Sequence, residues 1–287
     1  MTWFVLALLG AVMQAGQFVV VKAWARDVPP VVLIFWAQTV GLVGWLVYFA
    51  ARDVPFVLPL AMYPWVLASV VLAGAMSYLL VRATAGGDIS VVGPVLATSP
   101  VFAILPDYLM SGSLPRGFGW LGIALTVAGT ITLSRNPRGR FAPRELLRRE
   151  DALCTLAAAV VLGVLSGVDR RAALALGVPS YLLALHATMW TGCLVLVALR
   201  RRHAFVAALA PSRLAAVLLH AVFVMAGAVL LMYAVTLVPA SYVNSVRRMG
   251  AVFSVLLGSA LFDEPAMADR LRGAVMASAG AALLLLG

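Results

Sequence analysis

Apolar residues in this chain come in runs of about 20, broken by short polar or basic clusters. Neither the two-residue alternation of a half-buried strand nor the narrow apolar stripe of a surface helix fits them. Crossing the hydrocarbon core takes about 20 mostly apolar residues of helix, so each run reads as a membrane-spanning helix. The pattern predicts ten, near residues 2–21, 31–50, 63–82, 90–110, 117–134, 152–170, 178–199, 213–236, 240–261 and 270–286. Trp3, Tyr63, Trp65, Trp120 and Tyr181 fall near span ends, where an amphipathic ring prefers the headgroup level. The first run has no basic leader and is longer than a signal-peptide core, so it is expected to stay as a helix.

The runs repeat. Gly122 and Gly129 recur as Gly273 and Gly280, and Ser90 and Ser241 open the apolar run before each pair, all at an offset of 151 residues. The division expected is a first five-helix repeat over 1–134, a linker over 135–151 and a second five-helix repeat over 152–287. An odd number of helices per repeat turns the second half upside down relative to the first. The fold class expected is therefore an all-α polytopic membrane protein, ten transmembrane helices arranged as two inverted five-helix repeats. Internal repeats of this kind are typical of transporters that hold substrate between the halves.

Composition removes the soluble alternatives. A chain that is 63% hydrophobic and 11% charged lacks the polar surface to cover a water-soluble globule of 287 residues. The net charge of +10 would suggest nucleic acid in a soluble protein, but here basic residues punctuate the ends of apolar runs, so no nucleic-acid partner is expected. The linker carries Arg135, Arg138, Arg140, Arg144, Arg148 and Arg149, and the loop after the seventh run carries Arg200, Arg201, Arg202 and Arg213. Assigning loops alternately puts 15 basic residues on one side and four (Arg52, Arg116, Arg170, Arg171) on the other. The richer side should be cytoplasmic, which places both termini outside. Cys154 and Cys193 lie inside apolar runs without metal-ligand spacing, so neither a disulfide nor a metal site is expected, and no cofactor is implied.

Candidate chemistry rests on the polar residues that lipid penalises. An ionisable side chain near the middle of a span costs a few kcal/mol, so each needs a partner or a use. Arg247 and Arg248 sit about 10 Å into the ninth run at 1.5 Å per residue, and stand about 100° apart, so they cannot both face the same way. One reading lets them reach headgroup phosphates; the other turns Arg248 into a cavity, where a guanidinium holds a carboxylate or phosphate through paired hydrogen bonds. Gln14 and Gln17 share one face of the first run, either lining a cavity or bonding a neighbouring helix. Gln38, Tyr78, Trp190, Tyr242 and Asn244 complete the candidate substrate-binding set. Asp169 reads as an ion pair with Arg170 and Arg171 at the end of the sixth run, or as a coupling carboxylate; Asp107 reads as an interfacial charge. His186 and His220, near mid-span, are coupling candidates or histidines satisfied by a neighbouring helix. Pro94, Pro100 and Pro106 each remove a backbone donor from the fourth run and can kink it. Glu264-Pro265 reads as the start of the last helix.

The segment Ser245-Val-Arg-Arg-Met-Gly-Ala-Val-Phe-Ser-Val-Leu-Leu-Gly-Ser-Ala-Leu-Phe-Asp-Glu264, followed by Gly273 and Gly280, resembles the second-repeat signature of EamA-type transporters of the drug/metabolite transporter superfamily. Arg248 matches the arginine of that signature. The first repeat has a fainter outline, Val92-Gly-Pro-Val-Leu-Ala-Thr-Ser-Pro-Val-Phe-Ala leading to Gly122 and Gly129, with Ser113 where the family usually has an acid. The resemblance implies ten helices around a central cavity and movement of small organic solutes, often export. It also implies cytoplasmic termini, against the charge count. Small multidrug resistance proteins keep a buried glutamate in the first helix, where this chain has Gln14 and Gln17. The function expected is a secondary transporter exporting small organic metabolites or drugs across the plasma membrane by alternating access, as monomer or homodimer, with the bilayer and a small-molecule substrate as its partners. A nucleotide-sugar or lipid-precursor carrier of the same fold is the alternative. A membrane-embedded enzyme is disfavoured, because the 11 acidic residues are adjacent only at Glu150-Asp151 and Asp263-Glu264.

Overall fold

The computed structural model describes residues 1–24, 28–53, 55–86, 96, 98–112, 114–133, 150–200, 211–250, 253 and 267–284. Its described residues form ten α-helices: α1 (Thr2–Trp24), α2 (Pro30–Arg52), α3 (Tyr63–Gly86), α4 (Ser99–Ser111), α5 (Gly119–Leu133), α6 (Glu150–Leu176), α7 (Val178–Arg200), α8 (Pro211–Leu237), α9 (Ala240–Arg247) and α10 (Met267–Leu283). A short 3₁₀ turn, Leu60–Met62, leads into α3. The stretches Val31–Arg52, Ala152–Leu176, Val178–Leu196 and Arg213–Leu237 are long and apolar enough to cross a bilayer, with shorter apolar stretches at Thr2–Gln17, Leu60–Met76 and Gly119–Gly129. The start of the fourth expected span, most of the ninth beyond Gly250, Pro94, Ser113, Glu264, Pro265 and the basic linker fall outside the described residues.

Local chemistry accounts for several boundaries. Pro30 opens α2, where its missing N–H is one the helix would not use. Pro100 likewise falls in the first turn of α4 and is no kink there; Pro106 is the one inside that helix. Between α6 and α7 the whole connection is Gly177, at φ +75°, a conformation open to glycine without strain. This reversal revises the expected end of the sixth span. The helix continues to Leu176, so Asp169, Arg170 and Arg171 lie within it rather than in a loop. Arg170 is 8% exposed and cannot be counted as a loop charge. Tyr181, expected at the headgroup level, is 0% exposed.

Helix packing mirrors the repeat. Helix α1 lies against α8 and α9 as α6 lies against α3 and α4, and α2 lies against α8 as α7 lies against α3. Three pairs, α2 with α7, α4 with α9 and α5 with α10, join corresponding helices of the two halves. In the last of these Gly122 abuts the carbonyl of Gly280, and Gly129 abuts that of Gly273. Their order is reversed, so α5 and α10 run antiparallel. The outer surface is greasy, with Val43, Leu46 and Val47 on α2 and Leu67 and Val71 on α3 all more than half exposed. Lipid, not water, suits such a surface.

Candidate functional site

Helix α9 is the polar element at the centre of the bundle. Its residues Ala240–Val246 are all buried although Ser241, Tyr242, Asn244 and Ser245 are polar. Each needs a partner from another helix, because an unpaired polar group in an apolar interior costs a few kcal/mol.

The partners come from both halves of the chain. At the start of α9 the carboxylate of Asp107 on α4 accepts the backbone N–H groups of Ala240 (3.1 Å) and Ser241 (2.8 Å). These are two of the four N–H groups that a helix leaves unsatisfied at its N-terminus, where a negative charge is also favoured. Asp107 is 0% exposed, so the interfacial charge expected from sequence is instead a buried cap. Beside it, Arg170 donates its Nε–H to the Val235 carbonyl (2.8 Å) and feels the charge of Asp107. Tyr242 sits one step deeper, its hydroxyl accepting the Arg116 N–H (3.1 Å) and its ring 6.1 Å from that of Trp3. Asn244 donates to Ser166 on α6 (2.9 Å), and Ser166 in turn donates to Leu162 in its own helix. Replacing Asp107 by alanine strands two buried donors and leaves Arg170 without its nearby negative charge. We expect a loss of about 3 kcal/mol in folding stability, read as a lowered melting temperature in detergent; an unchanged melting temperature would refute the capping role.

At the C-terminal end of α9 the backbone tightens, the Met249 N–H bonding the Val246 carbonyl three residues back (2.9 Å). Arg247 and Arg248 occupy this turn. Arg247 donates its Nε–H to Gln14 on α1 (3.2 Å) and lies in electrostatic range of Asp169 on α6. It thus turns toward α1, the headgroup contact having been one of the two readings open from sequence. Asp169 does not pair locally with Arg170 and Arg171. Its Oδ1 accepts the Tyr181 hydroxyl (2.6 Å), which lies 2.9 Å from the Ser69 hydroxyl on α3. Arg248 is 8% exposed, and its Nε has no hydrogen-bond partner among the described residues. Chemically, a buried guanidinium with an unused donor can hold a carboxylate or phosphate.

The remaining sequence candidates divide. Gln38 and His186 meet between α2 and α7, with Gln38 Oε1 2.5 Å from His186 Nδ1; the amide oxygen can only accept, so Nδ1 carries a proton. His186 Nε2 and His220 Nδ1 are buried without a partner among the described residues. Trp190 donates its indole N–H to Thr39 (3.0 Å) across the same helix pair. Gln17 is half-buried on α1. Tyr78 does not join the interior set: it is 63% exposed and sits with Leu67 and Val71 on the outer surface of α3. Among the described residues no group of histidine, cysteine, aspartate or glutamate could hold a metal ion, and Cys154 and Cys193 are free thiols. A cavity of about 470 Å³ opens beside the start of α9, lined by Trp3, Arg116, Arg170, Pro239 and Tyr242 among others.

Asp107, Ser69, Ser166 and Tyr181 were missed as site residues by sequence reasoning. One signal was available: residues 240–248 are the most polar stretch of any expected span, so their partners had to be sought in other helices.

The bundle of apolar helices thus buries a polar helix and two arginines, and the chain can be compared with known proteins on that footing. Residues 1–135 match the EamA-like transporter family. The match covers a little under half of the chain. It falls on the half whose sequence outline was the fainter. A solved crystal structure whose description states no activity superposes on this chain with TM-score 0.80, covering 99% of it and 96% of the other at 17% identity. That likeness concerns the fold alone. No curated protein matches the chain.

Proposed function

We propose that this protein is a secondary transporter that exports small organic solutes carrying a negative charge, by alternating access across the plasma membrane. The observation that carries the reading is Arg248, a buried guanidinium with an unused donor among the described residues, at the C-terminal end of the polar helix α9, where helices of both halves converge. Two five-helix repeats, 1–134 and 152–287, rocking about the site would expose it to each side in turn. The antiparallel crossing of α5 and α10 supports an inverted relation between them, since corresponding helices of two inverted repeats must run in opposite directions. Substrate would meet Arg248, with Gln17, Asn244, Trp190 and the Gln38–His186 pair as surrounding polar and aromatic contacts. The geometry suits a solute carrier better than a membrane enzyme, with a nucleotide-sugar or lipid-precursor carrier as the second reading, favoured by the two adjacent arginines. The protein works as a monomer or homodimer, with substrate and bilayer as its partners and no cofactor.

A thermal-shift screen of the purified protein tests this. Carboxylates and phosphates should raise the melting temperature, since a ligand that binds the folded state stabilises it. Stabilisation by cationic drugs alone would overturn the assignment of Arg248. The loop charge bias supports termini on the outside even with Arg170 and Arg171 removed from the count. A cysteine added after Gly287 should then react with a membrane-impermeant reagent in intact cells, and reaction only after permeabilisation would reverse the orientation.

A further inference from the structure

We propose that the cavity at the start of α9 is a second anion site, separate from Arg248. It takes the carboxylate or phosphate of a small amphipathic molecule at Arg116 and Arg170, and packs that molecule's apolar part against Trp3 and Tyr242. It stands whether or not Arg248 is a substrate anchor.

The cavity sits at one end of the bundle. Trp3 lies in the first turn of α1, Gly112 caps the end of α4, Leu237 closes α8 and Leu284 follows the last residue of α10, and all four line it. Its volume of about 470 Å³ falls within the roughly 300–1,000 Å³ of small-molecule sites. Tyr242, which lines it from α9, precedes Arg248 by six residues, about 9 Å along the helix at 1.5 Å per residue. The two sites are therefore at different depths.

The walls divide by chemistry. Leu114, Leu237, Val238 and Leu284 add aliphatic surface to the ring of Trp3, and Arg116 and Arg170 supply charge. Among the described residues no acid lines the cavity. Asp107 is fully buried behind it, with its two oxygens on the first N–H groups of α9. Were Asp107 to offset Arg170 entirely, the exposed Arg116 would still leave one positive charge at the rim.

Both arginines are held in place by contacts that do not need a ligand. Arg170 is 8% exposed, and its Nε–H is fixed on the Val235 carbonyl at 2.8 Å. Arg116 is pinned through its backbone: its N–H donates to the Tyr242 hydroxyl at 3.1 Å, and its carbonyl accepts the Gly119 N–H at 2.8 Å. The Tyr242 hydroxyl occupies the space where a side chain at Gly119 would begin, so glycine there is what lets the phenol reach Arg116. Guanidinium groups bind carboxylate or phosphate through paired N–H bonds, and an apolar body beside them gains by leaving water. Two sources offer that chemistry, a free amphipathic carboxylate and the head of an anionic phospholipid.

The test is quenching of tryptophan fluorescence in purified full-length protein in a non-ionic detergent, titrated with bromohexanoate and with the uncharged bromohexanol. Wild-type protein should show saturable quenching by the acid, with the alcohol about tenfold weaker or more. Trp3→Phe should remove the larger part of that quenching, which places the probe in the cavity. Arg116→Gln, a change at an exposed side chain that leaves the fold alone, should weaken the acid about tenfold and leave the alcohol unchanged. Arg248→Gln should keep the wild-type affinity within twofold. Displacement of the probe by dihexanoyl phosphatidylglycerol but not by dihexanoyl phosphatidylcholine would assign the site to a lipid head; displacement by neither would assign it to a soluble carboxylate. Equal quenching by acid and alcohol, or wild-type affinity in Arg116→Gln, overturns the proposal. Loss of quenching in Arg248→Gln with retention in Arg116→Gln also overturns it, while supporting Arg248 as the anion anchor. Loss in Arg116→Gln alone upholds the second site whatever becomes of Arg248.

Discussion

Arg248→Ala should abolish transport, by more than a hundredfold in proteoliposome counterflow, while the protein still reaches the membrane and melts no lower than wild type. The two halves of this expectation separate a binding role from a structural one. Truncating one partner of a buried, hydrogen-bonded charge pair costs a binding reaction 2–5 kcal/mol or more, and about 2.7 kcal/mol is already a hundredfold. Stability should respond differently. In the unliganded protein the Nε of Arg248 is buried with no partner among the described residues, so removing the side chain relieves a desolvated charge instead of breaking a bond. Had Arg248 been a structural strut, alanine would lower the melting temperature. Lysine at this position keeps the charge but loses the planar fork, and should retain binding only weakly. Undiminished counterflow in Arg248→Ala would remove Arg248 from the site.

Gly129→Val should cost at least about 3 kcal/mol and leave little monodisperse protein after extraction in detergent. Where α5 crosses α10, the space a side chain at Gly129 would need is filled by the backbone of Ala277 and Gly273. Backbone does not rotate out of the way as a side-chain tip does, so the helices would have to separate along their length, at the upper end of the 1–3 kcal/mol or more that overpacking costs. The corresponding glycine of the second half should behave alike, because Gly280 faces the backbone of Thr126 and Gly122. Gly74→Ala is the control. Nothing lies within 4 Å of its added methyl, and alanine is the better helix former, so its melting temperature should hold or rise. Equal stability of Gly129→Val and Gly74→Ala would mean that α5 and α10 do not pack as described.

Much of the scaffold could be read from residues alone because its cause is local. Runs of apolar residues become helices wherever they lie in a bilayer, and glycines seven apart return to the same helix face. The spacing of Gly122, Gly129, Gly273 and Gly280 thus announced a helix contact before any partner was known. The candidate site was less legible. Arg248, Gln14 and Asn244 stood out because lipid penalises them, and the structure brings all three to the region around α9. Tyr78 stood out for the same reason and lies on the exterior, since an aromatic residue with one polar atom suits a lipid-facing surface as well as an interior one. Asp107 and Tyr181 were misread as interfacial residues because position along a run measures depth, not direction. The end of the sixth span was drawn short because Asp169, Arg170 and Arg171 look like a loop when their partners are unknown.

By itself the sequence determined that this protein is a bundle of apolar helices, several of them long and apolar enough to cross a membrane, that its glycines recur at an offset of 151 residues, and which residues were costly enough to need a purpose. Those properties follow from transfer free energies and helix periodicity, which each segment carries with it. Only the tertiary structure decided that Asp107 caps α9, that Asp169 turns to Tyr181 instead of its neighbouring arginines, and that Arg248 is left with an unused donor among the described residues. Pairing of polar groups depends on which helices meet and at what rotation: Asp107 meets Ser241 across 134 residues of chain, and Ser166 meets Asn244 across 78. Such distances along the chain are bridged by packing, and no local pattern encodes them.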